Sequence, residues 1–273
     1  MRREKKLPKV SLILLCVIIL ACGLADFLAP YSPDQMDPAA AASAPNGDHI
    51  LGTDYLGRDL FSMLLYGGRA SLIVGFLGAL ISTTIAVVLG AISGLAGQRI
   101  DDLIMRFSEL LMSIPSVLLI IFLQALWGEA DYFSLSVIIG STGWMNMAKL
   151  VRSEVRQIGK SDYILAARTM EAGFWYILRR HLLPAFVPPL MFMVVNSIGQ
   201  AMVTESTLSF LGLGLPLTEV SWGSLLSMSE EVLMTDSWWL IVIPGAVLVV
   251  TLVCVTEIGE YVRKSGSRLY SNL

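Results

Sequence analysis

Asn196 and Gln200 stand one helical turn apart inside an apolar run at 184–204, with Ser197 between them and Glu205 just beyond. A polar side chain is costly in hydrocarbon, so such residues mark either a route for polar cargo or hydrogen bonds between packed helices. Asn196, Ser197, Gln200 and Glu205 are therefore candidates to line a translocation path. The other concentration of polar groups is KSDYILAARTMEAGFWYILRRHLLPAF, residues 160–186. Ser161 suits an N-cap and Asp162 the first turn of a helix running to Glu171, with Ile164, Ala167 and Met170 on overlapping faces. Ala166 and Ala167 permit close backbone approach, and Gly173 can redirect the chain. A second helix from Phe174 aligns Trp175, Leu178 and Leu182 opposite Arg179 and Arg180. Pro184 suits the first turn of the next helix. A loop that only fixes topology needs the charges but not Ile164, Met170, Trp175 and Leu178. Those residues point to non-covalent docking, on another protein or on the bilayer surface.

Covalent chemistry has no visible machinery. The chain has no G-x-x-x-x-G-K-[ST], H-E-x-x-H or G-x-S-x-G, and its two histidines, His49 and His181, are far apart in sequence. Gly67-Gly68 and Gly212-x-Gly214 lack the strand–loop–helix setting of a phosphate-binding loop. No catalytic residue, metal site or nucleotide site is expected. Glu109, Glu257 and Glu260 read as solvated or salt-bridged acids near cytoplasmic helix ends, and Asn146 is open to either reading. An intramembrane enzyme would need a nucleophile–base constellation, and a stand-alone secondary transporter would need charged relays or inverted halves. Neither is seen.

The elements that must carry these residues are membrane helices. Of 273 residues, 55% are hydrophobic and 15% charged, with mean hydropathy +0.70. Soluble domains carry roughly a quarter charged residues, and a span needs about 20 apolar ones. Windows at about 10–29, 70–96, 110–127, 184–204 and 239–256 qualify, and a weaker one lies at 132–150, diluted by Ser134, Ser136, Ser141, Thr142 and Asn146. Six spans with both termini inside place all but Arg58 and Arg69 of the 19 basic residues in the cytoplasm. That asymmetry is the positive-inside pattern.

The resulting order is a tail and first span at 1–29, an external connection at 30–66, a transmembrane unit at 67–260 and a tail at 261–273. Within the unit, a cytoplasmic loop covers about 151–183 and an external one about 205–238. Residues 59–66 are expected as a short helix on the outer surface. Trp222, Trp238 and Trp239 are expected as interfacial anchors. Cys16, Cys22 and Cys254 fall in spans and read as small hydrophobes rather than a disulfide framework. The basic start with Ile19-Leu20-Ala21-Cys22 also loosely resembles a lipoprotein signal, although the apolar run is long enough to span.

YILAARTMEAGFWYILRRHLLP resembles the EAA loop of binding-protein-dependent ABC transporter permeases, roughly E-A-A-x3-G-x9-I-x-L-P. Ala166, Ala167, Leu183 and Pro184 match, while Leu165, Glu171 and His181 stand where Glu, Gly and Ile are usual. LGTDYLGRDLFSMLLYGGRASLIVG (51–75), ESTLSFLGLGLP with SWGSLL (205–226) and WWLIVIPGAVLVV are similar to the dipeptide, oligopeptide and nickel permeases of DppC/OppC/NikC type.

The resemblance implies an all-α membrane protein of type I importer architecture, in a bacterial cell (inner) membrane. It implies four further components: a homologous second permease, two cytoplasmic ATPases that use ATP and Mg2+, an external or periplasmic binding protein, and lipid. No nucleic acid is implied. Ile164, Ala166, Ala167, Arg168, Met170, Glu171, Gly173, Trp175, His181 and Pro184 would then form the coupling element that docks on an ATPase. Peptides, nickel and metal chelates are all carried by members of that branch.

Overall fold

The computed structural model describes residues 8–128, 131–158, 173, 176, 183–216, 219–228 and 237–270. Helices α1 (Lys9–Gly23), α2 (Ala25–Leu28), α3 (Leu60–Leu95), α4 (Gln98–Met112) and α5 (Ser116–Trp127) make the first half. Helices α6 (Tyr132–Gly143), α7 (Met145–Ile158), α8 (Leu183–Phe210), α9 (Trp222–Ser227) and α10 (Trp239–Tyr270) make the second. The fold is all-α. Among the described residues, the one extended pairing is an isolated bridge between Thr53 and Asp59.

Helix α3 is the mast of the bundle and packs against α1, α6, α7 and α8. Small residues make that possible. A Cβ on Gly90 would fall 2.7 Å from the Ala148 carbonyl oxygen, and one on Gly94 would fall 2.6 Å from Val155 Cγ1. Bundles in lipid gain stability from such close approach, because lipid tails remove the hydrophobic drive between helices.

Several boundaries differ from the sequence expectation. The helix expected on the outer surface at 59–66 is the opening of α3, capped by Asp59, whose carboxyl accepts the Ser62 N–H at 2.8 Å. Leu60, Leu64 and Leu65 are buried there. The expected span 110–127 is broken: α4 and α5 meet at 93° across Ser113–Pro115. Pro115 lacks the N–H that would continue the ladder, and its ring disfavours helical backbone before it. The weak span at 132–150 divides into α6 and α7, and α7 runs on to Ile158. Helix α8 extends to Phe210, so the loop expected from about 205 begins after 210. The tail expected at 261–273 is helical as far as Tyr270. Among the described residues, two helices, Leu60–Leu95 and Trp239–Lys264, are long and apolar enough to cross alone, and the bent α4–α5 pair makes a third span if counted as one.

Two of the three tryptophans are not anchors. Trp222 is fully buried and donates its indole N–H to the Leu64 carbonyl at 3.0 Å; Trp239 is buried and donates to the Thr53 carbonyl at 3.2 Å. Only Trp238 is exposed. Cys22 and Cys254 are buried as expected, but Cys16 is exposed; all three are free thiols.

The connection at 30–59 is held by its own polar contacts. Buried Asp54 accepts from Arg58 Nε at 2.7 Å, and His49 Nδ1 lies 3.0 Å from Asp59. Arg69 pairs with Asp26 at 2.9 Å. Arg58 and Arg69, the two basic residues left outside by the topology argument, thus each have an acid partner.

Candidate functional site

A cleft of about 430 Å³ opens between α3, the α4–α5 bend, the α6–α7 junction and α8. Asn196, Ser197 and Gln200 line it from α8, as their shared face requires. Ser82 of α3 and Asn146 of α7 add polar groups, and Leu111, Met112, Ile114 and Pro115 supply an apolar wall. The Ser82 and Ser197 hydroxyls lie 3.2 Å apart, tying α3 to α8 at the cleft edge. Asn196 and Gln200 are exposed. Each carries both a donor and an acceptor, the pairing that matches an amide group.

Glu205 stands apart from that cleft. It is fully buried, and its carboxyl accepts from Ser71 Oγ at 2.9 Å, Ser209 Oγ at 2.8 Å and Ser206 Oγ at 3.3 Å. Ser71 Oγ in turn accepts the Trp222 backbone N–H at 3.2 Å. The knot fastens α8 to α3 and α9. Its serine at i+4 was visible in the sequence; Ser71 and Trp222 were not suggested by any local spacing.

A second polar node sits where α3, α4 and α7 meet. Asp101 in the first turn of α4 is 3% exposed. It accepts from Ser93 Oγ at 2.5 Å, from Arg152 Nε and Nη2 at 2.5 and 2.6 Å, and from Arg156 Nη2 at 2.5 Å. Hydrogen bonding from Arg152, helped by Ser93 and the Arg156 charge and opposed by burial, holds the Asp101 carboxyl well below the usual carboxylate range. A carboxyl lowered in this way stabilises the fold above its unfolded value of about 4 and loses that effect only in stronger acid. The node is therefore intact across the neutral range. Glu109 faces Lys149 at 3.7 Å, and Glu260 pairs with Lys264. Ser11 donates to Glu257.

Ile164, Ala166, Ala167, Arg168, Met170, Glu171, Trp175 and His181 lie outside the described residues. Gly173 is exposed, and Pro184 falls in the first turn of α8.

The profile of the family described as binding-protein-dependent transport system inner membrane component matches residues 86–264. This chain belongs to that family. A second profile, the N-terminal transmembrane domain of oligopeptide transport permease C, matches residues 3–45 of the permease. The dipeptide transport system permease protein DppC of Bacillus subtilis is 33% identical over 94% of this chain and 80% of its own length. The oligopeptide transport system permease protein OppC of the same organism is 33% identical over 97% of this chain and 85% of its own length. The inward-facing MetNI methionine ABC transporter superposes with a TM-score of 0.60 at 16% identity, covering 75% of this chain and 96% of the compared one. That last likeness shows the fold.

Proposed function

We propose that this permease is one of two homologous membrane subunits of an ATP-driven importer for peptides. The observation that carries the reading is its near-full-length similarity to two peptide permeases. In this reading an external binding protein delivers the cargo, and two cytoplasmic ATPases supply ATP hydrolysis with Mg2+. The loop at about 151–183 docks on an ATPase, and both termini are cytoplasmic. The amide side chains of Asn196 and Gln200 suit a peptide backbone, which presents one donor and one acceptor per residue. The test is uptake by the complete complex in proteoliposomes, comparing labelled di- and oligopeptides with Ni2+ and metal chelates. Peptide uptake dependent on ATP and binding protein is expected. Accumulation of nickel or a chelate alone would transfer the cargo assignment to metals.

The orientation has its own test. In a background free of Cys16, Cys22 and Cys254, single cysteines replacing the exposed Asp34 and Asp48 should react with an impermeant thiol reagent on intact cells. One replacing the exposed Gln157 should react only after permeabilisation. Labelling of position 157 in intact cells would overturn the topology.

A further inference from the structure

Helix α4 is fastened along one side and bare along the other. Its first turn is tied by Asp101 to Ser93 of α3 and to Arg152 and Arg156 of α7. Two turns later Glu109 faces Lys149, again of α7. The opposite face carries Ile100, Leu103, Phe107 and Leu110, all exposed. At the far end comes the 93° bend, and Leu111, Met112, Ile114, Pro115 and Ser116 around it wall the cleft that Asn196, Ser197 and Gln200 line. Helix α7, Met145–Ile158, leads in sequence into the charged stretch 160–186.

We propose that Asp101 is a positioning residue that makes α4 a lever, so that displacement of α7 is passed through Arg152 and Arg156 to α4 and delivered at the bend as movement of the cleft wall. The inference rests on the importer reading, in which the 160–186 stretch is driven by the ATPases. The contact type fits the task. A two-point guanidinium–carboxylate contact fixes direction as well as distance, which a greasy contact does not. Arg152 and Arg156 keep side-chain exposures of 29% and 42%, so solvent screens the pair and its raw contribution to stability is modest. What the node supplies is register between two helices. Of its two arginines, Arg152 makes the two-point contact and Arg156 a single bond, so Arg152→Ala should be the more damaging.

A simple staple and a lever predict different losses. The experiment compares the wild-type complex with Asp101→Asn, with the exchanged pair Asp101→Arg/Arg152→Asp, and with Asp102→Asn, an exposed neighbour that acts on Arg152 through its charge alone, as control. It reads assembled complex, ATPase stimulated by loaded binding protein, and peptide imported per ATP hydrolysed. It also reads the thiol-labelling rate of a cysteine replacing Met112, with and without ATP plus vanadate. For Asp101→Asn, stimulated ATPase should persist while import per ATP falls roughly tenfold, within the span of ordinary coupling between sites. Labelling at 112 should respond to nucleotide in the wild type and stop responding in Asp101→Asn. The exchanged pair should recover part of the coupling, and Asp102→Asn should match the wild type. If import, ATPase and assembled complex fell together in Asp101→Asn while position 112 still responded, Asp101 would be a staple and the lever would be wrong. A wild-type complex with no ATP-dependent import would remove the importer reading and this inference with it.

Discussion

Ala167→Trp should leave the protein at normal membrane levels and abolish most import, with ATPase no longer stimulated by loaded binding protein. The expectation comes from the 162–171 pattern, in which small Ala167 shares a face with Ile164 and Met170. A helix seated in a partner's groove tolerates added volume poorly, at a cost of roughly 1–3 kcal/mol and sometimes more. Membrane insertion should be spared because the proposed topology puts the position outside the bilayer. Co-purification of the ATPases separates weakened docking from a defect inside the membrane. Arg156→Ala should be milder, because Arg152 still holds Asp101 at two points. Wild-type import by Ala167→Trp would remove the 160–186 stretch from the coupling role.

How far the sequence could be read follows from how local each signal is. The polar face of α8 is intrinsic to one helix, so Asn196, Ser197 and Gln200 were found together and the structure brings them to one cleft. Hydropathy averaged over a window hides a single breaking residue, and Pro115 therefore sat unnoticed inside an expected span. The helix expected at 59–66 was read as separate from the span at 70–96, and the structure runs the two together as α3. Trp222 has an apolar body and one donor, which suits a headgroup boundary and a core equally well. What decides is the Leu64 carbonyl, 158 positions away in sequence. Arg152 and Arg156 were legible as cytoplasmic charges, but their common partner Asp101 lies on a different helix, about 50 residues earlier. Composition bears on the side of the membrane; it does not give the pairing.

Glu205 separates the two kinds of reading most sharply, and its replacement by Lys should be the most damaging single change to the fold. The carboxyl is fully buried and receives three serine hydroxyls. A Lys there would bring a positive charge with no described acid in contact, facing hydroxyls now without their acceptor. Breaking a buried charged network in this way costs roughly 3–5 kcal/mol, a large part of a domain's stability. Glu205→Leu should be intermediate, since each buried polar group left unpaired costs about 1–3 kcal/mol. Glu205→Gln keeps an acceptor at the same reach, and a serine hydroxyl can turn to accept from its amide, so it should stay close to wild type. Thermal unfolding in detergent, read by fluorescence-detected gel filtration, should rank the variants Gln, Leu, Lys from most to least stable. Transport completes the argument. As a buried fastener of α8 to α3 and α9, Glu205 should leave the preference between cationic and neutral peptides unchanged in Glu205→Gln. A path-lining acid would instead lose selectivity for cationic cargo while stability held. A well-folded Glu205→Lys protein with altered cargo preference would put Glu205 back in the path and contradict the knot.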